Sequence, residues 1–169
     1  MESGKAGLTA MKDLVVYYSL EGNTRQAAER IAERLHADIL QLQTVKEILK
    51  SKMKFFIGGM QATFGVCAKL KPLALNPDQY DRIILGTPVW AGKATPAVNA
   101  FLKKFNVKNK VTALFTLSGG GDNDKCVRYL KKKLAHLRTT VALADRNHPD
   151  ASKNERKLNG FVEELINGQ

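Results

Sequence analysis

The chain has 169 residues, 44% of them hydrophobic, with 27 Lys and Arg against 16 Asp and Glu, a net charge of +11. That length suits one domain with a real core, and no apolar run approaches the roughly 20 residues of a membrane span. Two cysteines, Cys67 and Cys126, and three scattered histidines make neither a disulfide framework nor a metal-ligand pattern, so a reducing, cytoplasmic setting is expected.

The positive charge favours an anionic partner. A nucleic-acid binder would be expected to interleave aromatic and basic residues in a platform, and none is evident. Nucleic acid is therefore not the expected partner, nor is a membrane; an acidic protein, or merely a solvated basic surface, accounts for the charge as well.

At the amino end, MESGKAGLTAMKD lacks the apolar stretch of a signal peptide. Residues 1–11 are expected to be a disordered extension, with the domain occupying 12–169. KDLVVYYS (12–19) reads as a buried strand ending in a polar turn. NTRQAAERIAERLHA places Ala27, Ile31 and Leu35 on one face of a helix. ADILQLQ (37–43) is a second strand, RIILGT (82–87) a third, and TPAVNAFLKKF (95–105) a helix with Pro96 in its first turn. KVTALFTLS (110–118) is a fourth strand and DNDKCVRYLKKKLAHL (122–137) a helix. RTTVALA (138–144) is a fifth strand, and ASKNERKLNGFVEELIN a closing helix.

Such alternation implies an α/β domain, a doubly wound three-layer sandwich with a parallel sheet. Residues 44–80 interrupt it. VKEILKSKMKFF has a helical pattern, but GGMQATFGVCAKLKP adds glycine breaks and a proline. This irregular insertion reads either as a functional lid or as a crossover packed on the sheet.

Ligands of open parallel sheets sit outside the carboxyl ends of the strands, where strand order reverses. Three turn-rich loops occupy those positions. In SLEGNT (19–24), Gly22 permits a sharp turn, and the helix opening at Asn23 or Thr24 offers unpaired N–H groups. With the Ser19 and Thr24 hydroxyls these form a candidate phosphate site, the plain alternative being an ordinary helix cap. It is not a Walker loop, since GxxxxGK[ST] is absent. The acid Glu21 is the awkward residue, because phosphate is itself an anion. GTPVWAGKATP (86–96) presents Trp90, the one tryptophan, to stack on a flat ring or to plug the core. LSGGGDND (117–124) leaves three glycines bare, as close approach of a ligand edge or simple flexibility requires.

Together these loops resemble those of the flavodoxin-like FMN proteins. SLEGNT is similar to that family's phosphate loop, [TS]-x-T-G-x-T; GTPVWAG and LSGGGD are similar to its two flavin loops, and FFIGGMQATF to a segment of one subgroup. The resemblance runs from about residue 12 to 166. It implies a five-stranded parallel sheet in the order 2-1-3-4-5 and non-covalent FMN. Ser19, Gly22, Asn23 and Thr24 would hold the phosphate, with backbone N–H groups from Leu20 and Glu21. Thr87, Pro88, Val89, Trp90, Ala91 and Gly92 would flank the ring. Ser118, Gly119, Gly120, Gly121 and Asp122 would close over its pyrimidine edge. Gly92 is the residue able to permit a peptide flip toward N5–H of the reduced ring.

The sequence departs from the family pattern where Glu21 replaces the usual Thr; its side chain is expected to turn from the phosphate toward Arg25. The third loop also lacks an aromatic, leaving one ring face open or covered by Phe55, Phe56 or Phe64. Asp122 and Asp124 read as helix caps rather than general bases. The implied activity is electron transfer to a redox partner protein or small acceptor, with KKKLAHLR (131–138), Lys125 and Arg128 as an acidic partner's dock. The alternatives are an NAD(P)H-dependent flavin or quinone reductase and a non-redox interaction module.

Overall fold

The computed structural model describes residues 11–45, 67–120 and 123–168. Five strands, β1 (Asp13–Tyr17), β2 (Asp38–Gln41), β3 (Arg82–Pro88), β4 (Val111–Ser118) and β5 (Thr139–Ala144), form one sheet. All four pairings are parallel and the order is β2-β1-β3-β4-β5, as expected. The helices are α1 (Asn23–Leu35), α2 (Pro96–Lys104), α3 (Asp124–Lys131) and α4 (Asn154–Asn167).

Alternation along the central strands divides the core into two. Leu14, Val16, Ile83, Leu85 and Leu114 point to one face, where α2 contributes Val98 and Phe101 and α3 contributes Cys126 and Leu130. Val15, Tyr17, Ile84, Ala113 and Phe115 point to the other, against Ala28 and Ile31 of α1 and Phe161 and Val162 of α4. A strand buried on both faces must be apolar at every position, which is why LVVY and IIL are continuous runs. Each such side chain contributes about 1.5–3 kcal/mol on burial.

Gly86 faces Phe115 across the sheet, and a Cβ there would fall 2.1 Å from the ring. At the opposite, amino edge of the sheet, Asp13 and Arg82 form a buried bidentate pair, with Oδ1–Nε 2.8 Å and Oδ2–Nη2 2.5 Å. Arg82 Nη1 also donates to the Leu165 carbonyl at 2.9 Å, locking α4 to the sheet.

Several boundaries differ from expectation. The helix expected over 122–137 ends at Lys131; Lys133 and Leu134 N–H both turn back to the Leu130 carbonyl, and Leu134 and Leu137 reach the core from turns. The closing helix begins at Asn154 after a 3₁₀ turn, Pro149–Lys153. Asn154 fixes that start, accepting from Ala144 N–H at 3.0 Å and donating to its carbonyl at 2.7 Å.

Residues 1–10, and 46–66 with Phe55, Phe56 and Phe64, lie outside the described residues. The stems of the irregular stretch are pinned together. Thr44 bridges Leu70, Val45 N–H donates to the Lys69 carbonyl at 2.8 Å, and Ala68 N–H donates to the Pro96 carbonyl at 3.1 Å.

Candidate functional site

The sheet order reverses between β1 and β3, and a crevice is expected outside their carboxyl ends. A cavity of about 370 Å³ lies there, lined by Ser19, Leu20, Glu21, Asn23, Thr24, Pro88, Val89, Trp90, Leu117, Ser118, Gly119 and Asp145. All three sequence-marked loops therefore meet in one cleft. A larger groove of about 680 Å³ runs between α1 and residues 146–158, but it lies on the helical flank rather than at the strand ends.

The first loop turns through Gly22 at φ +94°, a left-handed conformation that glycine adopts without Cβ penalty. Ser19 Oγ accepts from Gly22 N–H at 3.1 Å and Arg25 N–H at 3.3 Å, drawing the loop around the start of α1. Neither Asn23 nor Thr24 is the cap: Gly22 occupies that position, with no side-chain cap bond. Arg25 forms its ion pair with Glu29 at 2.7 Å, so the partner expected for Glu21 is engaged one turn further on. The charge of Glu21 also acts on Asp145.

The second loop is a tight two-residue turn. Trp90 and Lys93 exchange both backbone bonds at 3.0 Å, with Ala91 at φ +49° and Gly92 at φ +72° between them. Two positive φ values define the hairpin turn whose second central position favours glycine. A Cβ on Gly92 would also sit 3.1 Å from Lys125 Cβ, so α3 packs directly against this turn. Thr87 is fully buried; its hydroxyl accepts from Thr95 N–H at 3.2 Å and donates to the Pro88 carbonyl at 2.9 Å. It shapes the loop from behind. Trp90 is only 9% exposed and stands edge-on to Tyr18, ring centroids 5.9 Å apart. The tryptophan is thus both core plug and cleft wall.

In the third loop Ser118 and Gly119 reach the cleft, whereas Gly22, Thr87, Ala91, Gly92 and Gly120 are not on its wall. Gly121 and Asp122 lie outside the described residues. The cap position of α3 belongs to Asn123, not to Asp122 or Asp124. Its amide donates to the Thr116 carbonyl at 3.0 Å and the Leu143 carbonyl at 3.3 Å, tying the loop to the ends of β4 and β5.

Two cleft atoms are buried without a hydrogen-bond partner among the described residues, Asn23 Oδ1 and Ser118 Oγ. Buried polar atoms are paired as a rule; Thr112 Oγ1 and Asn123 Oδ1 are orphaned in the same way, but only the first two belong to residues of the cleft wall, where they are open to further bonding. Asp145, just past β5, was missed by sequence reasoning. The signal was available, because DRNHPD is a fourth turn-rich segment at a strand's carboxyl end. Its carboxyl is pushed up from the usual range, first by burial and then by Glu21, against the opposing Asn23 hydrogen bond and His148 charge. Burial also pushes the Tyr18 phenol up, and the buried Cys126 thiol to about 12, which leaves that sulfur protonated and unreactive. No group of metal-ligating side chains occurs among the described residues.

Sheet order, two helical layers and a crevice at the reversal point place this chain among the open, doubly wound α/β proteins. Residues 12–164 match the family described as Flavodoxin, and the chain belongs to that family. Among solved structures it is similar to a flavoprotein from Lactobacillus acidophilus NCFM in complex with FMN, at 22% identity and TM-score 0.64, covering 88% of this chain and 99% of that one. It is also similar to oxidised flavodoxin 2 from Bacillus cereus (18%, TM-score 0.60, covering 94% and 99%). A third is the flavodoxin, WrbA-like protein from Agrobacterium tumefaciens (18%, TM-score 0.56, covering 95% and 100%). At these identities the likeness is one of fold.

Proposed function

We propose that the chain binds FMN non-covalently in this cleft and transfers electrons to a redox partner. The observation that carries this is the convergence of all three loops on one cavity at the β1/β3 reversal, with orphaned polar atoms in it. Flavodoxins are the type case of ligand binding at that reversal point. A cavity of about 370 Å³ falls within the ordinary range for small ligands.

The amino end of α1 supplies N–H donors and a partial positive charge for the phosphate, with the Ser19 and Thr24 hydroxyls and the Asn23 side chain around it. Pro88, Val89 and Trp90 form one wall for the ring; Ser118 and Gly119 form the other. Gly92 and Thr87 hold the second loop in shape, and Gly92 leaves the turn free to change its peptide orientation. Bound flavin supplies the redox chemistry; the protein orients it and excludes water.

Electron transfer also needs a docking surface. Lys125 abuts the Gly92 turn, and Arg128 continues the same exposed helix face, so a positive surface borders the cleft. It suits an acidic partner, whose encounter it would accelerate.

Titrating the purified protein with FMN, followed by visible spectra during reduction, tests this reading. A bound flavin that dithionite reduces but NADPH leaves oxidised is the expected result. Bleaching by NADPH alone would make the protein a reductase, and failure to bind FMN would remove the proposal.

A further inference from the structure

We propose that Asp145 makes phosphate capture proton-coupled, so that FMN enters this cleft together with one proton held on Asp145. The inference rests on the FMN reading and adds a property that the loop motifs do not contain. A phosphate loop that works through backbone N–H groups is an electrostatic device, and its neighbours decide how well it tolerates a dianion. Here those neighbours are acidic. Glu21 lies within the loop, and Asp145 lines the same cleft with its Oδ2 3.5 Å from where a Cβ on Gly119 would stand.

Asp145 is half-buried, and the groups that face it are few. Among the described residues, Glu21 comes from the first loop, the Asn23 amide from α1 and His148 from its own loop, while the end of β4 presents Leu117 and Ser118 and the third loop Gly119. Arg25 is paired with Glu29, and His148 Nδ1 already accepts from Asp150 N–H at 3.0 Å. Among the described residues, then, no arginine or lysine lines the cleft beside this carboxyl. Burial and Glu21 already bias it toward the neutral form. An arriving phosphate adds two negative charges close by, and like charges at short range favour protonation of one partner.

Asn23 provides for the proton as well. Its side chain shares the cleft wall with Asp145, near enough to act on that carboxyl, while its own Oδ1 is buried without a partner among the described residues. Rotating the amide by half a turn would offer that oxygen to a protonated Asp145, pairing the orphan atom and fixing the acid in its neutral state.

The sign follows from linkage. Binding raises the pKa of Asp145, so affinity is greatest below the free-protein pKa, declines as pH rises, and levels off above the pKa in the complex. The effect requires the phosphate; riboflavin, which lacks it, should show little of it.

Flavin affinity is measured by fluorescence quenching between about pH 6.5 and pH 8.5, where free FMN phosphate is chiefly a dianion. Proton uptake is measured by calorimetry in two buffers of different ionisation heat. FMN affinity is expected to fall up to about tenfold per pH unit as uptake of a single proton allows. Riboflavin affinity should stay flat, and the ³¹P shift of bound FMN should remain that of a dianion. Asp145→Asn and Asp145→Ser should each flatten the FMN slope and raise affinity at high pH about tenfold, while His148→Gln retains the slope. A pH-independent FMN affinity, a slope that survives in both Asp145 variants, or a titrating ³¹P signal would overturn the proposal. Because proton uptake is read on the wild-type chain, the test does not depend on the variants folding. Failure of both flavins to bind at any pH would instead overturn the FMN reading, and this proposal with it.

Discussion

Gly22 and Glu21 sit side by side in the proposed phosphate loop and make opposite demands. At φ +94° a side chain on Gly22 is strained although nothing within 4 Å would obstruct it. Gly22→Ala should therefore destabilise the apo-protein by only about 1–2 kcal/mol, visible as a lower thermal midpoint. Any larger loss in FMN affinity would report the ligand's close approach. Glu21→Thr removes a charge from beside the proposed phosphate site, and FMN affinity should be unchanged or higher; a large loss would show that Glu21 contributes more than its backbone. Gly92→Ala combines left-handed strain at φ +72° with the nearby Lys125 Cβ. It should lower the thermal midpoint at least as much as Gly22→Ala and reshape the second loop, which is read as a shift in flavin reduction potential.

At the scale of elements, two contacts set how the sheet is assembled. Gly86→Ala would drive a methyl into the Phe115 ring, and overpacking of that kind costs about 1–3 kcal/mol, checked by chemical denaturation. Asp13→Ala leaves Arg82 buried and uncompensated, which costs about 3–5 kcal/mol; Asp13→Ala paired with Arg82→Met should recover much of the loss. The strands were legible because each is an apolar run between turn residues, and the boundaries of β3 and β4 moved by at most one residue. Helix ends were less legible. Leu130, Leu134 and Leu137 keep a helical spacing, yet the chain reaches the last two through turns, since spacing records burial and not the backbone path. The buried Asp13–Arg82 pair joins positions 69 apart in sequence, which no local pattern reveals.

Over the whole molecule, the site was legible where a loop announces itself by glycine or tryptophan, and obscure where tertiary packing assigns the role. Trp90 reads from the sequence as a ring-stacking residue or a core plug, and its edge-on packing against Tyr18 depends on the first strand's end. Thr87 reads as a ligand-loop residue and proves to be the loop's internal brace. Asp145 lies far along the chain from the first loop, and β3 and β4 separate their two strands; only the cleft itself brings them together. The net charge of +11 acts at this scale too. Electron transfer to an acidic partner should slow as salt is added, because the Debye length shrinks from roughly 10 Å at 0.1 M to 3 Å at 1 M. Lys125→Glu with Arg128→Glu should slow it at low salt while leaving FMN affinity unchanged.

The central claim is that three loops and the start of α1 make one flavin site, and stoichiometric titration of the apo-protein with FMN tests it most directly. The expected result is saturable binding of one FMN per chain, with quenched flavin fluorescence, Trp90 emission falling in step, and the first-loop variants altering affinity. A protein that leaves FMN fluorescence and Trp90 emission unchanged at every ratio would contradict it.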